Sequence, residues 1–280
     1  MFIQTKLQRP RLSQDSVQRP HLVDRLARGL DRKLTLISAQ AGAGKTTLLA
    51  QWLQGCEQAS AWLTLDSNDN DLLLFTGYLC ASVRTAFPDA CGRVSDLLNA
   101  SRMPPPRVVM AAFVNELDDY FERRQPPDAE SESHPRLILA LDDFHTINDL
   151  AIHQFVTDLI AYLPRQVHLA VTSRTDPPLP LAAMRTRHEM SELRSSDLRF
   201  TTPEAALLLE SSLGRRVKRE TVELLVAATE GWAGGLRLAG ITLRTAPDGE
   251  RFAHQFKETG SSVVGDYLVS EVLAQQSNTL

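Results

Sequence analysis

The stretch that decides the fold is residues 34–53, which read Leu34-Thr35-Leu36-Ile37-Ser38-Ala39-Gln40-Ala41-Gly42-Ala43-Gly44-Lys45-Thr46-Thr47-Leu48-Leu49-Ala50-Gln51-Trp52-Leu53. Its first six residues form a short apolar run with β-branched members, which predicts a buried strand. A helical pattern resumes at Thr46 and continues to Leu53. A glycine-containing turn between a buried strand and a helix is the setting that a phosphate-binding Walker A loop requires.

The residue types in this turn explain why it would bind phosphate. Small residues let backbone N–H groups converge on phosphate oxygens, and the N-terminus of the following helix adds a favourable dipole. Lys45 is predicted to reach the β- and γ-phosphates, and the Thr46 hydroxyl to bind Mg²⁺. The strict motif begins with glycine, where this chain has Ala39, and a turn whose glycines only reverse the chain is the alternative. The predicted nucleotide-binding residues of the turn are Ala41, Gly42, Ala43, Gly44, Lys45, Thr46 and Thr47.

Two acids follow another apolar run, at 137–141, which predicts a second buried strand. Asp142 is the predicted Mg²⁺ ligand, directly or through water. Asp143 is predicted to orient or deprotonate an attacking water. The alternative is that both aspartates cap the turn after the strand, as aspartate often does.

An arginine follows the next predicted strand, at 167–172. In open α/β sheets, ligands bind at the carboxyl ends of the strands. Arg174 therefore lies where it could contact the γ-phosphate of a nucleotide, although exposed arginines are common.

Composition limits the other classes of function. With 43% hydrophobic and 23% charged residues the chain is typical of a globular protein, and its net charge of -4 does not favour a general polyanion-binding surface. The basic pairs at 123–124 and 215–216 are too short to form a patch. Three widely spaced cysteines suit a reducing compartment, the polar residues 1–11 do not predict a signal peptide, and no apolar run predicts a membrane-spanning helix. We expect a soluble, cytoplasmic protein without membrane contact.

Strands that alternate with helices predict an α/β fold with a parallel sheet. Residues 88–106 are predicted to be loop or broken helix, and the proline-, glutamate- and serine-rich segment 125–135 a surface loop. A helical domain is expected to begin near residue 195. The remaining predicted elements are a strand at 60–65 and helices at 21–30, 72–87, 107–124, 150–163, 203–212 and 219–245.

With these elements in this order, the chain resembles the maltose-regulator-like branch of the signal-transduction ATPases with numerous domains, which are typically large LuxR-type transcription activators. The resemblance covers nearly the whole chain. Its motifs are Ser38 to Leu48, Trp62-Leu63-Thr64-Leu65-Asp66 with Asp69-Asn70, Leu141-Asp142-Asp143-Phe144-His145, Thr172-Ser173-Arg174, Gly231-Trp232-Ala233-Gly234-Gly235-Leu236, and Asp266 to Leu273.

The resemblance implies four parts: an N-terminal arm with an adenine-side helix (1–31), a P-loop NTPase domain (32–194), a helical domain (195–250) and the start of a winged helix (251–280). It also implies that Arg174 senses the γ-phosphate and that Val17 to Arg19 lies against the adenine, so that Arg19 is a nucleotide-binding residue. Family members often have proline where this chain has Ala233.

The resemblance further implies a molecular switch. Its resting form binds ADP, its ATP-bound form self-associates once an inducer has bound, and slow ATP hydrolysis restores the resting form. The inducer-sensing repeats and the DNA-binding helix-turn-helix of the family are absent before the chain stops at Leu280, so we expect a fragment or a truncated relative. The alternatives are a stand-alone P-loop ATPase or small-molecule kinase, and an interaction module with an inactive nucleotide site. The intact Lys45, Thr46, Asp142 and Asp143 argue against the last of these.

Overall fold

The computed structural model describes residues 2–100, 104–123 and 137–244. Within these ranges the strands are β1 (Leu34–Ser38), β2 (Ala59–Thr64), β3 (Leu137–Asp142), β4 (Val167–Ser173) and β5 (Met190–Arg194). The helices are α1 (Pro20–Ala27), α2 (Lys45–Gly55), α3 (Leu72–Ala86), α4 (Gly92–Leu98), α5 (Pro106–Glu122), α6 (Leu150–Tyr162), α7 (Leu181–Thr186), α8 (Ser195–Leu198), α9 (Thr202–Leu213), α10 (Arg219–Thr229) and α11 (Ala233–Leu243).

The five strands form one sheet in the order β2-β3-β4-β1-β5. β3 pairs in parallel with β2 and β4, and β1 pairs in parallel with β4. Every residue of β1, β3 and β4 is buried, as a parallel sheet covered on both faces requires. The predicted α/β fold with a parallel sheet is confirmed.

The strand order determines where the candidate residues emerge. Because β4 lies between β3 and β1 and the three are parallel, their carboxyl ends share one edge of the sheet. β1 ends at Ser38, directly before the glycine-containing turn, while β3 ends at Asp142 and β4 at Ser173. This is the edge at which α/β sheets bind their ligands.

The chain divides into two compact units. The first comprises Met1–Arg11, Pro20–Ser38 and Leu48–Glu192, and holds most of the sheet with its covering helices. The second comprises Leu12–Arg19, Ala39–Thr47 and the residues from Leu193 onward. The four-part division implied by the resemblance stays a prediction, and its last part, 251–280, lies outside the described residues.

Helices α9, α10 and α11 of the second unit pack against one another. Their shared core consists of Ala205, Leu208, Leu209, Val222, Leu225, Leu236 and Ala239. The prediction of a single helix over 219–245 is wrong, because Glu230 and Gly231 adopt left-handed backbone conformations with φ of 50° and 71°. A Cβ at Gly231 would lie 2.6 Å from the Phe200 carbonyl oxygen, so only glycine permits this close approach.

The helix predicted over 21–30 is shorter than expected and ends at Ala27, and β5 has no counterpart among the predicted strands. The segment 88–106, predicted to be loop or broken helix, contains the short helix α4, whose Arg93 and Val94 N–H groups donate to the Glu116 carboxylate at 3.1 and 3.0 Å. That cap comes from a distant helix, so local sequence does not reveal it. The predicted loop at 125–135 lies outside the described residues.

A buried histidine lies on β4. The Nδ1–H of His168 donates to the Arg32 carbonyl at 2.7 Å, which leaves Nε2 of the neutral ring to accept from the Thr35 hydroxyl at 2.9 Å. The ring also meets Trp52 edge-on at 5.9 Å. Burial lowers the pKa of His168 to about 4, although the bond to Arg32 and the charge of Asp31 act in the opposite direction.

We predict that His168 makes the free energy of unfolding fall as the pH drops from about 6.5 to about 4. Over this interval the unfolded chain binds a proton that the folded chain does not, and the difference amounts to about 3 kcal/mol. Above pH 6.5 the contribution is constant. Denaturant unfolding at successive pH values should show that His168→Gln loses this component, whereas His188→Gln at an exposed position keeps it. Identical pH profiles for the two variants would contradict the assignment.

Candidate nucleotide-binding site

The glycine-containing turn, residues 39–44, has two left-handed glycines. Gly42 has a φ of 67° and Gly44 a φ of 88°, a region that residues with a Cβ rarely occupy. An added Cβ at Gly44 would meet nothing within 4 Å, so the backbone conformation alone requires glycine there. These residues lead into Lys45, the first residue of α2. The sequence thus folds locally into the strand–turn–helix unit of a phosphate loop.

The Lys45 side chain lies along its own loop. Its ammonium donates to the Gln40 carbonyl at 3.1 Å, and the residue is only 6% exposed. A buried cation held at the start of a helix adds its charge to the positive end of the helix dipole. This part of the loop therefore favours an anion.

A tryptophan of the second unit binds the loop backbone. The indole N–H of Trp232 donates to the Ala41 carbonyl at 2.9 Å, and the Gly234 N–H donates to the Gly42 carbonyl at 2.9 Å. The indole ring also covers Gly42, where an added Cβ would lie 3.0 Å from Cζ2. The phosphate loop is thus attached to the start of α11 by two hydrogen bonds and a ring contact. We call this arrangement the Trp232 clamp.

Small residues make the clamp possible. A Cβ at Gly234 would lie 2.6 Å from the Trp232 ring, and one at Gly235 would lie 2.9 Å from it. Neither distance allows a side chain without displacing the indole. The sequence Gly231 to Gly235, quoted above only for its resemblance, therefore has a direct physical role beside the phosphate loop.

At the sheet edge of the first unit, one hydroxyl connects both acids. The Thr172 hydroxyl donates to Asp142 Oδ1 at 2.6 Å and accepts the Asp143 N–H at 2.9 Å. Asp142 is 2% exposed and Thr172 is fully buried. The hydroxyl fixes the orientation of the Asp142 carboxylate and the backbone of the next residue together.

Asp143 occupies an unusual backbone conformation. Its φ of 59° and ψ of 40° are left-handed, which is uncommon for a residue with a side chain and is often found at functional sites. Its carboxylate is partly exposed and lies 3.7 Å from His145 Nδ1. The Thr146 N–H and hydroxyl both bond to its carbonyl, at 3.1 and 2.9 Å. The surrounding hydrogen bonds hold this conformation in place.

The predicted residues fall into three groups. Ala41 to Thr47 lie together in the phosphate loop and the first turn of α2, whereas Asp142, Asp143 and Arg174 follow the neighbouring strands β3 and β4. Arg19 lies elsewhere, beside α8 and α9 of the second unit.

The Arg19 guanidinium forms hydrogen bonds to other residues of the chain. It donates to the carbonyls of Leu198 and Arg199 at 2.8 Å each and to Glu204 at 2.9 Å, and it lies over the Phe200 ring. The residue is 5% exposed. These contacts show that Arg19 has a structural role in the second unit, and its contact with adenine stays a prediction.

A cleft of about 280 Å³ adjoins the phosphate loop within the second unit. The loop contributes Gln40 and Ala43, and the helical part contributes Leu198, Thr229 and Trp232 among others. Its lining combines apolar residues with polar and charged ones, among them Arg199 and Glu230.

Sequence reasoning missed the roles of Thr172 and Trp232. Both stand in motifs quoted above, but neither spacing nor residue type shows what they bind. Thr172 is a buried hydroxyl residue at the end of an otherwise apolar strand, and such a residue needs a hydrogen-bonding partner. That requirement was the available signal.

No family model matches the chain. Over 274 residues, 98% of the chain, it is 31% identical to the HTH-type transcriptional regulator MalT of Serratia proteamaculans, of which it covers 29%. It is 32% identical over 260 residues to the serine/threonine-protein kinase PknK of Mycobacterium tuberculosis, covering 22% of that protein. The chain thus spans less than a third of the length of these relatives. It is MalT-like in sequence over most of its length.

Two solved structures share the fold. A Walker-type ATPase of Pyrococcus abyssi aligns with 96% of the chain and 78% of its own, with a TM-score of 0.55 and 15% identity. A signal transduction ATPase with numerous domains and a tetratricopeptide repeat sensor, from Pyrococcus horikoshii, aligns with 89% of the chain and 33% of its own, with a TM-score of 0.53 and 13% identity. The fold is that of an α/β P-loop NTPase. Across the described part of the chain, no helix is long and apolar enough to cross a membrane.

Proposed function

We propose that this chain is the ATP-binding switch module of a bacterial transcription regulator. The observation that carries the proposal is the phosphate loop, with left-handed Gly42 and Gly44 between buried β1 and α2. The similarity to MalT over most of the chain supports the regulatory context. The regulator's inducer and DNA would be bound by regions outside this chain, and its place would be the cytoplasm.

In this proposal each side chain has one task. The loop N–H groups and Lys45 bind the phosphates, and Arg174 detects the γ-phosphate. Thr46 and Asp142 are the Mg²⁺ ligands, and Asp143 acts on the attacking water. Thr172 is a positioning residue, because it orients the Asp142 carboxylate through the bond of 2.6 Å.

The donor set fits magnesium. Within the described ranges, no group of three or more His, Cys, Asp or Glu side chains could hold a metal ion by itself. Mg²⁺ does not need such a group, because it commonly binds one or two protein oxygens together with substrate phosphates and water. The hydroxyl of Thr46 and the buried carboxylate of Asp142 are hard oxygen donors of this kind. A bound Mg²⁺ would neutralise phosphate charge.

The switch would operate through nucleotide state. ADP would be retained in the resting form, ATP would permit self-association, and slow hydrolysis would restore the resting form. The Trp232 clamp supports this scheme, because it attaches the phosphate loop directly to α11. A change at the phosphates therefore has a physical route to the helical part of the second unit.

We predict that Lys45→Ala lowers the affinity for ADP about 100-fold, equivalent to about 2.7 kcal/mol. The reason is that the variant lacks the ammonium that offsets phosphate charge. Fluorescence titration with a labelled ADP would measure the change. Lys33→Ala is the matched control, because Lys33 lies just before β1 and pairs with Glu189 at 3.1 Å rather than facing the loop. If Lys45→Ala binds ADP as tightly as the parent, the phosphate-loop assignment is wrong.

The same preparation distinguishes the alternatives. Co-purified ADP, turnover well below the enzyme median of about 10 s⁻¹, and ATP-dependent association would support the switch. Rapid transfer of the γ-phosphate to a small acceptor would instead support a small-molecule kinase, and turnover without association a stand-alone ATPase.

A further inference from the structure

The first unit contains a second cleft, of about 480 Å³, that has no role in the proposed function. It lies at the end of α1, beside the segment that joins α7 to β5. Its basic lining residues are Arg25, Arg28, Arg32, Arg185 and His188. None of them belongs to the phosphate loop. We call this cleft the arginine cleft.

No run of basic residues in the sequence reveals this cluster. Arg25, Arg28 and Arg32 are spaced along the end of α1 and the turn after it, and Arg185 follows more than 150 residues later. Folding brings the two segments together. The sequence analysis found no long cluster of basic residues, and this one forms only when the chain folds.

Three of the four arginines form hydrogen bonds to residues of β5. Arg32 Nη1 donates to the Met190 carbonyl at 2.7 Å, and Arg25 Nη2 donates to the Glu192 carbonyl at 3.0 Å. Arg185 forms two bonds to the Glu192 carboxylate, at 2.9 and 3.0 Å. Three guanidinium groups are thus oriented by residues at the start of β5.

The floor of the cleft is also closely packed. A Cβ at Gly29 would lie 2.7 Å from Ser191 Cβ, so the turn after α1 approaches β5 too closely for a side chain at position 29. This contact and the guanidinium hydrogen bonds place the basic side chains around the cleft before any ligand binds. Preorganisation of this kind lowers the cost of binding.

The charge of the cleft is unbalanced. Its lining contains four arginines but a single carboxylate, that of Glu192, and a second carboxylate, Asp176, lies 3.6 Å from Arg185 outside the lining. Crowded like charges are unfavourable, and a chain with a net charge of -4 has no general excess of cations to explain them. An anion with several negative charges would relieve the repulsion.

The other lining residues narrow the ligand class. None is Phe, Tyr or Trp, and Met190 is the one large apolar residue among them, so the lining is mainly polar and basic. Its volume matches small-molecule sites, and guanidinium groups bind phosphate through paired hydrogen bonds. We propose that the arginine cleft binds a small anion with two or more phosphate groups.

The test uses the whole chain saturated with ADP, so that the phosphate loop does not take up the probe. Inorganic tripolyphosphate is titrated in by calorimetry, and a sugar bisphosphate in a second series separates inorganic from ester phosphate. We expect one site per chain, weakening with added KCl because exposed charges are screened by salt. Arg28→Gln should weaken binding about tenfold, as expected for losing a charge-assisted hydrogen bond, and Arg28→Glu should abolish it.

Arg28 is exposed, so these variants should fold, and their melting temperatures check this. Arg216→Gln, at an exposed arginine of the second unit, is the matched control and should bind like the parent. No saturable binding, or equal binding by Arg28→Gln and Arg216→Gln, would overturn the proposal. So would tighter binding of a DNA duplex or an acidic peptide to the same arginines. Binding that disappears in Lys45→Ala but persists in Arg28→Glu would place the probe at the phosphate loop instead.

Discussion

Replacing Trp232 with alanine is expected to destabilise the second unit by about 3–5 kcal/mol and to weaken ADP binding with it. The indole is 7% exposed and covers three glycines, Gly42, Gly234 and Gly235. Alanine would leave a cavity between the phosphate loop and the start of α11. It would also leave the Ala41 carbonyl without its indole donor. Denaturant unfolding would measure the stability, and titration with labelled ADP the affinity.

The Trp232→Phe variant separates the contribution of the indole hydrogen bond from that of ring packing. Phenylalanine keeps an aromatic ring but cannot donate to the Ala41 carbonyl, and an unsatisfied carbonyl costs about 1–3 kcal/mol. If the clamp shapes the loop for phosphate, ADP affinity falls about tenfold while the second unit stays folded.

Trp62→Phe is the matched control. Trp62 is 2% exposed, and its indole N–H donates to the Thr64 hydroxyl at 2.8 Å, within the first unit. This variant loses the same kind of bond away from the phosphate loop and should bind ADP like the parent. An equal loss of affinity in both variants would show that Trp232 contributes stability alone.

The sequence was sufficient to predict the elements that local pattern controls. β1 and β3 are apolar runs because both faces of a parallel sheet are buried, and the turn at 39–44 contains glycines because its backbone needs them. The positions of Lys45, Asp142 and Asp143 follow directly from those runs. Local chemistry therefore located the phosphate loop and the acids.

The missed features depend on residues that are far apart in the chain. The Trp232 clamp joins positions about 190 residues apart, and Thr172 reaches Asp142 from a neighbouring strand. The helix break at Gly231 exists because Phe200 approaches its backbone. β5, an alternating strand with two charged residues at the sheet edge, lacks the apolar run that marked the central strands. Such features follow from tertiary contacts, which a single sequence does not display.

A segment after β2, residues 66–70, forms hydrogen bonds to the loop that follows Asp143. The Asn70 side chain accepts the N–H groups of Asn148 and Asp149 at 2.6 and 3.0 Å, and it donates to the Thr146 carbonyl at 2.9 Å. Thr146 in turn bonds to Asp143. The conformation of the acid-bearing loop thus depends on a segment that carries no catalytic group itself.

This segment is anchored by a buried ion pair. The Lys6 ammonium donates to both oxygens of Asp69, at 2.8 and 2.6 Å, and lies 2.9 Å from Asp66. Asp69 is fully buried and also accepts the Asp66 N–H at 2.8 Å. Burial by itself lowers the pKa of Lys6, but the two aspartates outweigh it and hold that pKa above its ordinary value. The Lys6 ammonium is therefore charged at neutral pH.

Asp69→Ala is expected to lower the free energy of unfolding of the first unit by about 3–5 kcal/mol, because it leaves the Lys6 charge buried without its main partner. Lys6→Met in the same chain should recover much of this loss, since removing both charges avoids an unpaired one. Denaturant unfolding of the two single variants and the double variant gives the coupling energy. Glu223→Gln is the control: it breaks the exposed pair with Arg219 and should change stability by about 0.5 kcal/mol or less.

The outcome also bears on the nucleotide site. Under conditions where Asp69→Ala remains folded, we expect weaker Mg²⁺-dependent ATP binding, because Asn70 no longer holds the loop after Asp143 firmly. The double variant should recover both the free energy of unfolding and the affinity for ATP. If the losses of the single variants simply add, the pair is not coupled, and the segment after β2 is held by packing rather than by the ion pair.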